Sequence, residues 1–142
     1  MSKSHRLAWA AGFIDGDGFI TIQIRNQVIK NKQYKGHYLR MGCCQASQVP
    51  LKELQDLFGG TIKEKNSGGS TYNRKQQWIW NVSTKQAKEV LEQLLPYLVH
   101  KKEVALLALE FQKTMSDFKV SEEVWNKREE LKAKIQDINA QS

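Results

Sequence analysis

The sequence predicts an α+β fold with the element order α-β-β-α-β-β-α, followed by two more helices. Three observations carry this. A small-residue helical pattern opens the chain, four short alternating segments come in two close pairs, and each pair leads into an amphipathic segment of helical period. Close pairing of strands implies a mostly antiparallel four-stranded sheet, with helices backing one face and the other face left open. The 142 residues are enough for one domain with its own core. A single domain over 1–142 is expected, its core at about 5–115.

The first helix is read over His5 to Asp15. Leu7, Ala10 and Ile14 mark one face; Ala8, Ala11, Gly12 and Asp15 mark a second face with almost no side-chain bulk. That stripe follows i, i+3, i+4, i+7 spacing and would let two helix backbones approach closely. The chain has one such helix, so the natural partner is the same helix of a second copy about a two-fold axis. The alternative is ordinary core packing.

Residues 19–25, FITIQIR, alternate as a half-buried strand, with Ile20, Ile22 and Ile24 inward and Thr21, Gln23 and Arg25 outward. A polar, basic connector, NQVIKNKQYKGH, leads to a second strand. There Leu39, Met41 and Cys43 face in, and Tyr38, Arg40 and Gly42 face out. Ser47 reads as a helix N-cap with Pro50 in the first turn, and SQVPLKELQDLF stops at Gly59-Gly60. TIKEK is a third strand, NSGGSTYNRK a turn-rich loop, and QQWIWNVS a fourth strand. In the fourth, Trp78, Trp80 and Val82 lie on one side and Gln77, Ile79 and Asn81 on the other. TKQAKEVLEQLLPYL is an amphipathic helix. The C-terminal helices occupy about 102–139: one over 102–115, and one capped by Ser121 with Leu131, Ile135 and Ile138 at helical spacing.

Net charge is +7. This points to a polyanionic partner, a nucleic acid or an anionic membrane surface, although small basic proteins can simply be soluble. No run reaches the roughly 18 apolar residues of a membrane span, and no membrane partner is expected. The N-terminus is basic and then apolar, but it runs into Asp15 and Asp17 without a cleavage pattern, so it reads as part of the folded domain. Cys43 and Cys44 are adjacent and lack zinc-like spacing, which fits reduced thiols in an intracellular protein.

The open sheet face carries Thr21, Gln23, Arg25, Tyr38, Arg40, Lys63, Lys65, Ile79 and Asn81. Long donors and acceptors with a positive balance suit the DNA major groove, where Arg, Lys, Gln and Asn read base edges. The alternative is a solvated face. Lys30, Lys32 and Lys35 of the basic segment would hold phosphates.

Asp15 and Asp17 stand at the C-terminal end of a helix, where the dipole disfavours a carboxylate by roughly 0.3–1 kcal/mol and two carboxylates repel. A hard divalent cation would relieve both penalties, with glycine carbonyls as further ligands. D-G-D-G can also be only a helix-stop turn. A calcium loop is rejected: Phe19 stands at its fifth position and Asn26 at its twelfth.

The stretch Ala10-Ala11-Gly12-Phe13-Ile14-Asp15-Gly16-Asp17-Gly18 resembles the LAGLIDADG motif of the homing endonucleases. Ala replaces the first Leu, Phe the second, and Gly the Ala between the aspartates. The order α-β-β-α-β-β-α matches that family's saddle-shaped core fold over roughly residues 5–115. One motif and no internal repeat resemble the homodimeric members. The resemblance implies that Asp17, with the Gly16 carbonyl, binds catalytic Mg2+ shared at the dimer centre, and that Asp15 mainly ties the turn. It implies that Gln45 orders active-site water, with Gln48 a weaker substitute, and that Lys101 joins the site, with Lys102 its nearest rival. The basic residue some relatives carry near the second helix has no clear counterpart in Gln48-Val49-Pro50-Leu51-Lys52. The implied function is a site-specific double-strand DNA endonuclease encoded in an intron. Cutting across the minor groove of a pseudo-palindromic site would leave staggered ends. An RNA-binding maturase acting on host intron RNA and a non-cleaving DNA-binding regulator remain open on the same fold. Prokaryotic cytoplasm and an organelle are equally compatible.

Overall fold

In the computed structural model, which describes residues 2–65, 76–116 and 120–141, the order is α1 Lys3–Asp17, β1 Gly18–Ile29, β2 Lys32–Gln45, α2 Val49–Phe58, β3 Thr61–Lys65, β4 Gln77–Ser83, α3 Thr84–Leu94, α4 Lys102–Lys113 and α5 Glu122–Gln141, with a short 3-10 turn at Thr114–Ser116. The expected NSGGSTYNRK loop, residues 66–75, lies outside the described residues. The four strands form one sheet in the order β1-β2-β4-β3, and every pairing is antiparallel.

The alternation read from the sequence sets which face is buried. Ile20 and Ile22 of β1, Leu39, Met41 and Cys43 of β2, and Trp80 and Val82 of β4 enter the core. They meet Ala10, Ala11 and Ile14 of α1, Leu51 and Leu54 of α2, Ala87, Val90, Leu91 and Leu94 of α3, and Val104, Ala105, Ala108 and Phe111 of α4. Helix α5 adds Leu131 and Ile135. Burying a side chain such as Leu or Ile contributes about 1.5–3 kcal/mol, so this shared layer holds the sheet against its helices.

Several boundaries differ from the sequence reading. Helix α1 begins at Lys3, where the Ser2 hydroxyl accepts from the His5 N–H at 3.3 Å, and it runs through Asp17. The supposed connector NQVIKNKQYKGH is mostly strand. β1 and β2 form a long ribbon closed by Lys30 and Asn31, at φ 52° and 65°. Two successive left-handed residues make a tight hairpin turn whose twist matches that of the strands. The ribbon outruns the helices, so Ile24 is 40% exposed rather than buried. Ser47 is not the cap residue of α2: Gln48 holds that position, while the Ser47 hydroxyl accepts from the Val49 N–H at 3.2 Å. The Ser121 cap is present, its hydroxyl accepting from the Val124 N–H at 3.2 Å.

Helix α5 is tied to the sheet by polar groups as well as by its apolar face. His37 of β2 is buried, bonds Glu129 at 2.7 Å and lies 4.3 Å from the Trp125 ring. Asn139 donates to the Ile20 carbonyl at 3.2 Å, on the outer strand of the sheet. That contact occupies one of the backbone groups an edge strand otherwise leaves open. At the other end, Arg6 of α1 bonds Glu53 and Asp56 of α2 at 2.8 and 2.7 Å, and these carboxylates raise the guanidinium pKa further.

Candidate functional site

The tip of α1 brings the acidic turn against β2 and the start of α4. Gly18 ends the helix, its N–H donating to the Ile14 carbonyl. A Cβ at Gly18 would stand 2.9 Å from both Ile14 Cγ2 and the Ile14 oxygen, so only glycine allows the strand to leave the helix this tightly. Residues two apart on a helix point in nearly opposite directions, and this separates the two aspartates.

Asp15 turns back into its own chain. Its carboxylate accepts from the Val99 N–H at 2.8 Å and from the Lys101 N–H at 2.9 Å. Lys101 is the cap residue of α4, so Asp15 satisfies an N–H at the positive end of that helix. The penalty Asp15 incurs at the negative end of α1 is thereby offset by attraction to α4. The Lys101 ammonium returns to the Asp15 carbonyl at 2.9 Å.

Asp17 points outward and is exposed. Its Oδ2 accepts from Gln45 Nε2 at 3.0 Å, and Gln45 is the last residue of β2, paired with Trp78. Gly16 is exposed, with nothing within 4 Å of where a side chain would begin. Asp17, Gln45, Gly16 and Lys101 therefore gather at one tip, with Asp15 as the tie between α1 and α4. Gln48 makes no side-chain cap bond, and Lys102 is exposed.

Among the described residues, no group of three or more His, Cys, Asp or Glu side chains forms a metal cluster. One chain offers a carboxylate, adjacent carbonyls and a neutral amide. That set fits a hard ion that completes its shell with water and phosphate oxygens, as magnesium does; it does not fit zinc. The thiols do not contribute: Cys43 is fully buried opposite Gly18, and burial, then the nearby Cys44 and Asp17, pushes its pKa up to about 12.

Pairing partners across a sheet share a face. The strand registers put Thr21 beside Arg40, Gln23 beside Tyr38, Gly42 beside Asn81, Asn81 beside Thr61, and Ile79 beside Lys63. The open face therefore carries Arg25, Lys32, Arg40, Lys63 and Lys65 and no carboxylate among the described residues; Glu64 falls on the other side. Arg40 lies 5.0 Å over the Phe19 ring. Lys35 lies on the other face. Paired with Asn26, it shares the face of Ile20 and Ile22, while Lys30 sits in the turn itself. Gln27 and Tyr34, a directly paired couple, join the open face, but the sequence reading missed them because it ended the first strand at Arg25. Asn31, a residue type that tolerates the left-handed conformation, was the one weak turn signal there.

The small-residue stripe is divided. Ala8 and Gly12 are exposed, whereas Ala11 is fully buried in the core of its own chain. Asp15 is partly buried by its bonds to α4. Beside Ala8 and Gly12, Trp9 stacks on Phe13 at 5.4 Å and is 37% exposed.

A helix ending in an acidic turn beside a basic four-stranded sheet is the arrangement of an endonuclease family, and the chain belongs to it: residues 10–114 match the LAGLIDADG endonuclease family model. The chain is similar to the DNA endonuclease I-CvuI of Chlorella vulgaris, at 30% identity over 116 residues, covering 80% of this chain and 68% of that protein. A crystal structure of the homing endonuclease I-CvuI with DNA in the presence of magnesium, in which the DNA is not cleaved, superposes with a TM-score of 0.77. It is 25% identical and covers 94% of this chain and 82% of that one. The fold also recurs in the homing endonuclease I-SmaMI bound to cleaved DNA, at TM-score 0.65 and 21% identity, covering 90% of this chain but 42% of that longer one. No helix among the described residues is long and apolar enough to cross a membrane.

Proposed function

We propose that this chain is a site-specific, metal-dependent DNA endonuclease, a single catalytic domain that acts as a homodimer. The observation that carries the proposal is the exposed Asp17 carboxylate, held by Gln45 at the edge of a basic sheet face that is free of acid among the described residues. The family and the similarity to a DNA endonuclease support it.

Asp17 and Gly16 would hold magnesium, which when bound supplies an activated water and stabilises the leaving oxygen of a phosphodiester. Gln45 fixes the direction of the Asp17 carboxylate with one amide hydrogen and has a second to orient water. Lys101, anchored through its backbone N–H to Asp15, brings a positive charge to the same tip, where it stabilises charge developing on phosphate. Exposed Ala8 and Gly12 allow a second copy of α1 to pack backbone against backbone. Two copies then set two acidic turns at the centre of a duplex. Thr21, Gln23, Arg25, Tyr38, Arg40, Ile79 and Asn81 face the major groove of each half-site, while Lys30, Lys32, Lys63 and Lys65 reach phosphates. Base contacts worth about 1–3 kcal/mol each, several per half-site, would give a rare cutter.

The test is cleavage of a randomised, partly palindromic duplex library with magnesium, with sequencing of the new ends. Staggered ends around one motif are expected, abolished by chelation and by Asp17→Asn while DNA binding persists. Undiminished cutting by Asp17→Asn would refute the site. Specific binding by the wild type with no cut ends in magnesium would make the chain a DNA-binding regulator instead.

A further inference from the structure

On the open face, three side chains of the β1–β2 ribbon are linked in a way that fixes what one of them can read. Gln23 and Tyr38 are direct cross-strand partners, and the Tyr38 hydroxyl donates to Gln23 Oε1 at 2.5 Å. The Arg25 guanidinium lies 4.2 Å over the Tyr38 ring. Arg25 can lean across because its own partner is Gly36, which has no side chain and nothing within 4 Å of where one would begin. Tyr38 is thus held from above by a cation and spends its hydroxyl proton on Gln23.

A free glutamine reads adenine with both ends of its amide: the oxygen accepts from N6–H and the nitrogen donates to N7. Here the oxygen is turned toward the Tyr38 hydroxyl, which takes one of its two lone pairs. The NH2, which only donates, is the end of the amide turned away from Tyr38 and left for a ligand. A donor-only group suits a base edge that only accepts, and guanine presents two such atoms, N7 and O6, side by side. The neighbouring Arg25 is likewise donor-only.

We propose that Tyr38 is a positioning residue that turns the Gln23 amide so that this side chain selects guanine over adenine. The proposal rests on the DNA-binding reading above. Its converse is specific: with the amide reversed, the oxygen would face the groove and select a donor-bearing base, adenine or cytosine.

The experiment is binding selection on a randomised duplex library in calcium, followed by sequencing, for the wild type, Gln23→Ala and Tyr38→Phe. Gln23→Ala identifies the base pair that Gln23 reads, as the position whose preference disappears. The wild type is expected to favour guanine there. Tyr38→Phe keeps the ring under Arg25 but frees the amide oxygen, and should shift that one position about tenfold toward adenine, leaving the others unchanged. A wild-type preference for adenine or cytosine at that position overturns the proposal. So does an unchanged profile for Tyr38→Phe, or a change confined to a different base pair, which would make Tyr38 a reader in its own right. Failure of the wild type to enrich any sequence would instead remove the DNA-binding reading, and the proposal with it. Thermal unfolding of both variants checks that a lost preference is not a lost fold.

Discussion

Replacing Asp15 with Asn should destabilise the protein, while the same change two residues later should not. The Asp15 carboxylate accepts two backbone N–H groups, from exposed Val99 at 2.8 Å and partly buried Lys101 at 2.9 Å. Hydrogen bonds to a charged acceptor contribute about 1.5–3 kcal/mol each, with the exposed one at the low end, so the pair contributes roughly 4 kcal/mol. Asn can accept only one of them, at a neutral value of about 1 kcal/mol, and its NH2 then faces the other N–H. Removing a charge from the C-terminal end of α1 returns about 0.3–1 kcal/mol. The net loss is about 2–3 kcal/mol, or roughly 6–12 °C in midpoint for a chain of this length. Asp17 makes one 3.0 Å bond to Gln45 at an exposed position, so Asp17→Asn should change stability by less than about 0.5 kcal/mol. Urea and thermal unfolding of the two variants decide the matter. Equal stability for both, or a loss under about 1 kcal/mol for Asp15→Asn, would refute the division of labour between the two aspartates.

Three other perturbations test the scaffold. A Cβ at Gly42 would meet the Trp80 carbonyl oxygen at 2.1 Å across the β2–β4 pair, so Gly42→Ala should cost about 3 kcal/mol or more in urea unfolding; an unchanged midpoint would contradict that register. Glu129→Ala leaves the buried His37 with neither ring nitrogen partnered, since Nδ1 already has none. A loss of about 1–3 kcal/mol is expected, with faster amide exchange throughout α5, and a protected α5 would show that the helix is held without the His37–Glu129 bond. Cys43, its pKa raised to about 12 by burial, keeps its proton in the fold more firmly than in the unfolded chain. Its contribution to stability is therefore full below pH 9 and lost as pH rises from 9 toward 12. A thiol reagent at pH 8.5 should modify Cys44 in the native protein and Cys43 only on unfolding; rapid reaction of both thiols would refute its burial.

Much of the fold could be read directly because it rests on local period. The inward set Ile20, Ile22, Leu39, Met41, Trp80 and Val82 follows from strict alternation, and a one-residue slip would have moved every one of them to solvent. The acidic turn was legible for a similar reason: D-G-D-G is contiguous, and its electrostatic cost at a helix end is visible without coordinates. The ribbon was not. Residues 26–35 are exposed and carry no alternating apolar face, so period alone could not separate strand from connector. For that reason Gln27 and Tyr34 are absent from the open face the sequence predicts.

What the sequence determined by itself was the family, the order of elements, the buried face of each strand and the identity of the acidic turn, since each depends on neighbours in the chain. Only the tertiary structure decided how those residues are used. Asp15 and Lys101 are 86 positions apart, and His37 and Glu129 are 92 apart. Such bonds depend on how separate elements pack, and no periodicity encodes them. The burial of Ala11 shows the same limit. A stripe of small residues permits close approach, but whether the approaching surface is the chain's own core or a second copy is settled only once the helix is seated on the sheet.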